Sequence, residues 1–396
     1  MSSQQVVALL VALAAIVALA NVMGRLATRL AQPAVVGEIL AGVLVGPTLF
    51  GGAVADLVFP ADIRPMLSSL ANVGLVFFMF LVGLEFNRDL LRERLGAITV
   101  LSLGSMLTPF VLGVLLATAL RPDDDRVAFV LYLGTAMAVT AFPVLARMIG
   151  DWNLSGSKVG VLALGSAALG DLLAWSMLAV AIATLGVGTS DQWRLLLVLP
   201  LALVGFLVVR PLLARIADSR RDMFAVVLIG LLGWSALTEW MGLHFIFGAF
   251  LFGLVMPHGT DLRAGVTLRI EQVGKVLLLP VYFVVAGLNV DLSRITWSGF
   301  ADFGLILLVA VGGKFAGAVL AARLCRLGWR ESATLGTLLN TRGLTELVIL
   351  SIGLQLGLLD RDLYSQLVLM AVLTTMMTGP LVTLLHRERE PELVRV

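Results

Sequence analysis

The sequence predicts an all-α polytopic membrane protein, and three observations support this fold class. First, 59% of the 396 residues are hydrophobic and only 14% are charged, with a mean hydropathy of +1.00. Second, the apolar runs are about 20 residues long, which is the length of a helix that crosses a bilayer. Third, apolar and polar residues do not alternate along these runs, which excludes transmembrane strands.

Thirteen candidate transmembrane helices follow one another along the chain. Their bounds are roughly 5–22, 34–51, 66–85, 96–119, 126–148, 157–186, 193–214, 223–240, 243–257, 268–288, 300–323, 331–357 and 363–386. The fifth span contains Pro143 in its middle, and the twelfth contains the polar run from Asn340 to Glu346. Residues of these types weaken a helix, so both spans are predicted to be broken.

The thirteen spans divide as six, one and six, which predicts two inverted six-helix repeats. The first six spans return the chain to its starting side and the seventh crosses, so the second six begin on the opposite side. The two broken spans hold the same place in the two halves. Matched breaks of this kind mark the substrate site in many secondary transporters.

The basic residues predict the orientation in the membrane. Nineteen arginines and lysines fall in one set of connections, which includes Arg88, Arg92 and Arg94, and six fall in the other. The second set also holds the acidic run 123–125. We therefore expect a multi-pass protein of the cell membrane with its N-terminus outside and its C-terminus in the cytoplasm.

Composition excludes several other classes of function. One cysteine and three scattered histidines exclude an ordinary zinc site, and the sequence contains no nucleotide-binding fingerprint. The charges are spread over the loops, so nucleic acid is not an expected partner. We expect no enzyme activity, no cofactor and no nucleotide-binding domain in this chain, with the lipid bilayer as its surroundings.

Asp171 is the candidate binding residue on which the prediction of function rests. It lies in an apolar run from about Gly160 to Gly186, without another charge within ten residues on either side. An ionisable group at this depth costs roughly 2.5 to 3.5 kcal/mol on insertion scales, so it usually has a function or a partner. We expect its carboxylate to bind a proton or a cation. The alternative is a structural ion pair with a buried base.

Lys314, deep in the eleventh span, is the second such charge. It could pair with Asp171 when no cation is bound, or carry the proton itself. The alternative is a permanent salt bridge. If the fifth span unwinds at Pro143, the carbonyls of Val139 and Thr140 would point into a cavity and could coordinate a monovalent cation together with Asp171. Helix propensity supports a simple kink equally well.

Four more polar residues of the twelfth span are expected to support this core: Asn340, Thr341, Arg342 and Glu346. Arg342 and Glu346 are four residues apart, so a local ion pair that neutralises both is the better interpretation. Glu38 and Glu85 lie near the cytoplasmic ends of their spans. We expect structural roles or the lining of an entry funnel for these two residues, rather than ion binding.

Six stretches of the sequence together carry a resemblance to a known family. They begin at Pro33 (PAVVGEILAGVLVGP), Phe78 (FMFLVGLE), Thr140 (TAFPVLAR), Gly170 (GD), Leu279 (LPVYFVVAGL) and Asn340 (NTRGLTEL). The chain resembles monovalent cation/proton antiporters, in the branch of Kef-type potassium efflux proteins, NapA-like sodium exchangers and plant cation exchangers. In that family Asp171 matches the ion- and proton-binding aspartate, Lys314 matches the lysine that pairs with it in part of the family, and Thr140 matches the unwound segment beside the ion.

The resemblance implies a NapA/NhaA-like fold, with crossed unwound helices in the core of each protomer of a homodimer. A dimerisation domain would use residues 1–94 and 222–296, and a core ion-transport domain would use 95–190 and 297–396. Residues 191–221 would form a linker helix. Such a protein exchanges Na+ or K+ for H+ by alternating access.

One departure from the family is informative. Electrogenic members resemble one another in having two adjacent acids, whereas this chain has Gly170 before Asp171. A single carboxylate favours an electroneutral exchange of one cation for one proton. Two other functions stay open on this scaffold: a carrier for an organic substrate, and a channel-like potassium efflux protein.

Overall fold

The computed structural model describes residues 2–30, 32–85, 95–121, 127–152, 154, 157–185, 197–217, 224–241, 244–257, 261–294 and 297–386. These residues form helices and connecting turns, and none of them lies in a strand. The helices of the first part are α1 (Ser3–Arg29), α2 (Ala34–Val45), α3 (Ala53–Val58), α4 (Arg64–Glu85), α5 (Leu95–Leu120), α6 (Val127–Ala138), α7 (Phe142–Asp151) and α8 (Lys158–Leu185).

The later part of the chain continues in the same manner. Its helices are α9 (Val198–Val204), α10 (Arg210–Ala217), α11 (Phe224–Trp240), α12 (Phe245–Val255), α13 (Asp261–Val273), α14 (Leu279–Leu288), α15 (Trp297–Leu324), α16 (Trp329–Leu339), α17 (Leu344–Gln355) and α18 (Arg361–His386). A π-helical segment, Gly205–Val209, joins α9 to α10, and another, Gly274–Leu278, joins α13 to α14.

The predicted fold class is confirmed. Among the described residues, eight helical segments are long and apolar enough to cross a membrane, and five shorter apolar helices lie between them. Each coincides with one of the thirteen predicted spans. The second span was predicted to reach residue 51, but α2 ends at Val45. Gly46 and Pro47 follow directly, and proline disfavours a helical conformation in the residue before it.

Apolar side chains on the outer faces of several helices support a lipid surrounding. Leu10 in α1 and Leu199 in α9 are 61% and 75% exposed, respectively. Contiguous exposed apolar faces are rare on soluble proteins, and in a membrane protein they contact acyl chains. The buried side of the same structure is filled by aliphatic and aromatic residues, as expected of a packed helical interior.

The chain divides into two compact units. The first comprises Met1–Met23, Gly37–Asn87 and Leu178–Ser293, and the second comprises Gly24–Val36, Arg88–Met177 and Arg294–Val396. The domain boundaries predicted at residues 94, 190, 221 and 296 lie outside the described residues, as do Arg88, Arg92, Arg94 and the acidic run 123–125. The roles of dimerisation and transport assigned to the two domains therefore stay predictions.

Two glycine crossings hold the first unit together. α2 meets α14 where a side chain on Gly42 would collide with the Val284 carbonyl and the Cα of Gly287. α4 meets α12 where Gly83 and Gly253 face each other in the same way. Helix backbones can approach this closely in a membrane because glycine has no side chain.

In the second unit, α5 packs against both α6 and α15. Two ion pairs join segments that are distant in the sequence. Lys158 at the start of α8 lies 3.3 Å from the Glu331 carboxylate in the first turn of α16. Arg121, which follows α5, pairs with Asp360, which precedes α18. Both pairs are partly exposed, so each contributes little free energy, but together they connect the two halves of the unit.

Candidate ion-binding site

The first helix break separates α6 from α7. α6 ends at Ala138 and α7 begins at Phe142, and the three residues between them are non-helical and buried. Ala141 adopts extended angles (φ −82°, ψ 91°) directly before the first turn of α7, which contains Pro143. Proline fits the first turn of a helix, where its missing N–H has no partner to lose. The predicted break is therefore a true interruption and not a kink.

The second break separates α16 from α17. α16 ends at Leu339, and Gly343 directly precedes α17 with φ 147° and ψ −119°, a conformation that side chains disfavour. The residues between them, from Asn340 to Arg342, are all at least 96% buried. Buried non-helical backbone at membrane depth is stable only where its polar groups find partners in the protein or line a cavity.

The two breaks cross and bond to each other. The Thr140 hydroxyl donates to the Leu339 carbonyl at 2.9 Å, and the Ala141 amide donates to the Thr341 carbonyl at 3.0 Å. These bonds join segments that are about 200 residues apart in the sequence. Each break thus satisfies backbone groups that the other exposes, and the predicted crossing of unwound helices is present.

Two cationic side chains bond to the carbonyls at the end of α6. Arg342 donates to the Ala136 carbonyl at 3.0 Å and to the Met137 carbonyl at 2.7 Å, and the Lys314 ammonium donates to the Ala138 carbonyl. The last carbonyls of a helix have no intrahelical donors and carry partial negative charge. Both cations therefore stabilise the interrupted end of α6.

Arg342 also forms the predicted local ion pair. One of its nitrogens lies 2.6 Å from a carboxylate oxygen of Glu346, and both side chains are fully buried. The second carboxylate oxygen of Glu346 has no hydrogen-bond partner among the described residues. The same holds for the side-chain oxygens of Asn340, Thr341 and Thr345. Buried polar atoms of this kind usually contact water or an ion.

Asp171 lies in the middle of α8 and is only 3% exposed. It belongs to the same electrostatic cluster, because Glu346 and Asp171 both attract the Lys314 ammonium, whereas Arg342 repels it. The fully ionised cluster holds two acids and two bases, so its formal charges cancel. A proton or a cation that arrives at Asp171 would change this balance.

The structure thus brings together eight of the predicted residues in the second unit: Val139, Thr140, Asp171, Lys314, Asn340, Thr341, Arg342 and Glu346. Glu38 belongs to the first unit, where its side chain is half-buried. Glu85 is the last residue of α4, and its side chain lies outside the described part of the structure.

Sequence reasoning missed several contacts of this site. The bonds from Arg342 to α6 could not be predicted, because they depend on how the two breaks cross. Thr375 of α18 donates to the Arg342 carbonyl at 2.6 Å, which ties the second break to α18. Ser102 of α5 is fully buried and lies beside Gly170, next to Asp171. A hydroxyl in an apolar helix is too common to serve as a signal by itself.

Comparison with known proteins identifies the family. Residues 11–387 match the family described as "Sodium/hydrogen exchanger, transmembrane". The chain belongs to this family. Sodium/hydrogen exchangers are secondary transporters and not enzymes, in agreement with the prediction from the sequence.

Named relatives occur in three groups of organisms. The chain is 35% identical to the Na(+)/H(+) antiporter NhaS4 of Synechocystis, covering 94% of this chain and 95% of that protein. It is 36% identical to Cation/H(+) antiporter 19 of Arabidopsis thaliana and 30% identical to K(+)/H(+) antiporter 1 of Saccharomyces cerevisiae. The match covers 90% and 92% of this chain but only 47% and 45% of those two longer proteins.

A solved structure supports the fold of this exchanger family member. The sodium proton antiporter MjNhaP1 from Methanocaldococcus jannaschii superposes with a TM-score of 0.70, over 95% of this chain and 96% of that one. The two sequences are only 15% identical, so the likeness concerns the fold alone.

Proposed function

We propose that this protein is a secondary antiporter that exchanges Na+ or K+ for H+, with both ions competing for Asp171. The observation that carries the proposal is the position of this acid. It is 97% buried, in mid-helix, and within electrostatic range of a buried lysine beside two crossed helix breaks. A desolvated carboxylate cannot hold two positive species at once, so cation binding and proton binding exclude each other.

The first break would supply further ligands. Backbone carbonyls that leave a helix can replace part of the hydration shell of a cation, and the carbonyls of Val139 and Thr140 belong to such a segment. The Thr140 hydroxyl is buried and already bonded to Leu339, which would hold the segment in place. In this proposal Asp171 provides the charge and the break provides neutral oxygens.

Lys314 would be the partner of Asp171 when no cation is bound. Its ammonium is fully buried, bonds to the Ala138 carbonyl and is attracted by Asp171. A cation at Asp171 would weaken this attraction, and release of the cation would restore it. The carboxylate then always has a positive neighbour, which limits the free energy of its desolvation.

The proposed stoichiometry is one cation for one proton, because Gly170 leaves one carboxylate at this point of α8. Exchange would then move no net charge. The test measures the rate of Na+/H+ exchange in proteoliposomes while a potassium diffusion potential is applied with valinomycin. We predict the same exchange rate for either sign of the potential. A rate that depends steeply on the sign of the potential would contradict electroneutral exchange.

Alternating access would follow from movement of a core domain against a dimerisation domain, in a homodimer with an extracellular N-terminus. The named relatives that exchange Na+ or K+ for H+ support antiport over the alternatives of organic transport or a channel. Saturable, proton-coupled exchange without an organic solute would separate antiport from both alternatives.

Replacement of the acid tests the site directly. We expect Asp171→Asn to abolish exchange, because the neutral amide neither binds a proton nor attracts a cation, while the protein still inserts. Asp291→Asn is the matched control, since Asp291 is also buried, at 7% exposure, and its carboxylate accepts a local hydrogen bond from the Ser293 hydroxyl.

The measurement is recovery of a pH-sensitive dye after addition of Na+, K+, Li+ or Rb+ to acidified proteoliposomes. Wild type and the Asp291→Asn variant should respond to at least one of these cations, and the Asp171→Asn variant to none. Full proton-coupled exchange by Asp171→Asn would overturn the assignment of the site.

A further inference from the structure

A small open space lies beside Gly170, the residue that precedes Asp171. If position 170 carried a Cβ atom, the nearest atoms outside its own helix would be Met106 Sδ at 3.6 Å and Ser102 Oγ at 3.7 Å. These are ordinary contact distances, so a side chain would fit. The glycine thus leaves room for a methyl-sized group, bounded by a thioether and a hydroxyl of α5.

The packing of α5 against α8 explains why the hydroxyl of Ser102 faces this space. A serine in a helix usually donates to the carbonyl four residues earlier, which for Ser102 is the carbonyl of Ile98. That carbonyl already accepts a hydrogen bond of 3.4 Å from Ser166, which lies one turn before Gly170 in α8. Ser166 of the neighbouring helix thus bonds to the carbonyl that a hydroxyl at position 102 could use within its own helix.

Ser102 is fully buried, and its hydroxyl has no hydrogen-bond partner among the described residues. The contrast with Ser105 is informative, because Ser105 is also buried in α5 but donates to the Ser102 carbonyl at 3.0 Å. A buried hydroxyl without a partner is unfavourable, and a site with a polar group and open space is suited to a water molecule.

We propose that the Ser102 hydroxyl is a neutral oxygen of the cation site, and that it holds a water molecule retained by the cation bound at Asp171. The inference rests on the proposed function, in which Asp171 binds the cation. The hydroxyl and its water would occupy the place of the side chain that position 170 lacks. The bound species is accordingly a partly hydrated monovalent cation.

Three variants test this role through the apparent KM for the cation, measured in proteoliposomes at fixed pH. Ser102→Ala should raise this KM about fivefold to tenfold, as expected for the loss of one hydrogen bond. Ser105→Ala, whose hydroxyl is already bonded in its own helix, should leave it unchanged. Gly170→Ser in the Ser102→Ala background should restore most of the affinity, because it supplies a hydroxyl to the same space from the other helix.

The Gly170→Ala variant tests the same role without changing Ser102. It therefore remains informative even if Ser102→Ala fails to fold. Its methyl group would fill the space and displace the water, so it too should raise the KM. The inference is overturned if Ser102→Ala and Gly170→Ala both show the wild-type KM for Na+ and K+. Absence of cation-driven proton movement in the wild-type protein would instead overturn the proposed function.

Discussion

The two helix breaks of the second unit have the same architecture but different chemistry. The first, at 139–141, contains only backbone groups and the hydroxyl of Thr140 as polar groups. The second, at 340–343, contains Arg342, and α17 brings the partner Glu346 into its first turn. An inverted repeat fixes the course of the backbone in both halves, but it does not impose the same side chains.

The difference shows which half of the chain supplies the charged side chains of the site. The cations that stabilise the end of α6 are Lys314 and Arg342, both from the second repeat. The first break therefore depends on the second repeat for its positive charges, whereas the second break has its own base, Arg342, and an acid, Glu346, in the first turn of the helix that follows. Substitution of the charged residue in the second break should accordingly destabilise the protein more than substitution of any residue in the first break.

Arg342→Leu should produce the largest loss of stability. It removes the donors to Ala136 and Met137 and leaves the Glu346 carboxylate buried without its cation, at a cost of about 3–5 kcal/mol in the free energy of unfolding. The measurement is a denaturant titration in detergent micelles. The exposed pair of Arg64 with Asp56 provides a control, because Arg64→Leu should cost less than about 1 kcal/mol.

The double variant Arg342→Leu, Glu346→Leu sharpens this result. Since it removes both charges, it should be more stable than Arg342→Leu alone, because no unpaired charge is left in the interior. Equal stability of the single and double variants would show that the bonds of Arg342 to α6, and not the charge of Glu346, dominate.

Gly343→Ala should have the next largest effect. Its φ of 147° is accessible to glycine but strained for alanine, and the added Cβ would lie 3.2 Å from a methyl group of Val144. The expected loss is about 1–3 kcal/mol. In the first break, Ala141→Gly should cost less than about 1 kcal/mol, since the φ of Ala141 is −82°. Similar losses of stability from Gly343→Ala and Ala141→Gly would contradict the expected difference between the two breaks.

Thr140→Val should destabilise the protein less than Arg342→Leu or Gly343→Ala. It removes only the hydrogen bond to Leu339, for a loss of about 1 kcal/mol. Thr118→Val controls for the substitution itself, because the Thr118 hydroxyl is exposed and bonds within its own helix. A loss as large as that of Arg342→Leu would show that the neutral break is as important as the charged one.

Much of the fold could be predicted because hydropathy and helix-breaking residues act locally. Span length follows from bilayer thickness, and Pro143 and the polar run after Leu339 are visible as interruptions in apolar sequence. The end of α2 at Val45 was missed because hydropathy continues through Gly46 and Pro47, whereas the helical conformation does not.

The site was harder to predict, because its bonds join distant segments. The pair of Arg342 with Glu346 was predicted from their four-residue spacing, although Arg342 lies in the break before α17 and only Glu346 lies in the helix. The bond from Lys314 to the Ala138 carbonyl was not predicted, since a main-chain acceptor becomes available only where α6 stops and α15 passes it. The same reason applies to Ser102, whose significance depends on the register of α5 against α8.

The glycine crossings of the first unit also limit which segments of this protein can be exchanged with those of a homologue. Gly42 with Gly287, and Gly83 with Gly253, each pair an early segment with a late one, and the backbones touch where they meet. A chimaera with a crossover between these segments keeps its close contacts only if both parents carry glycine at both members of each pair. Libraries built by shuffling homologues should therefore inherit the four positions as linked pairs.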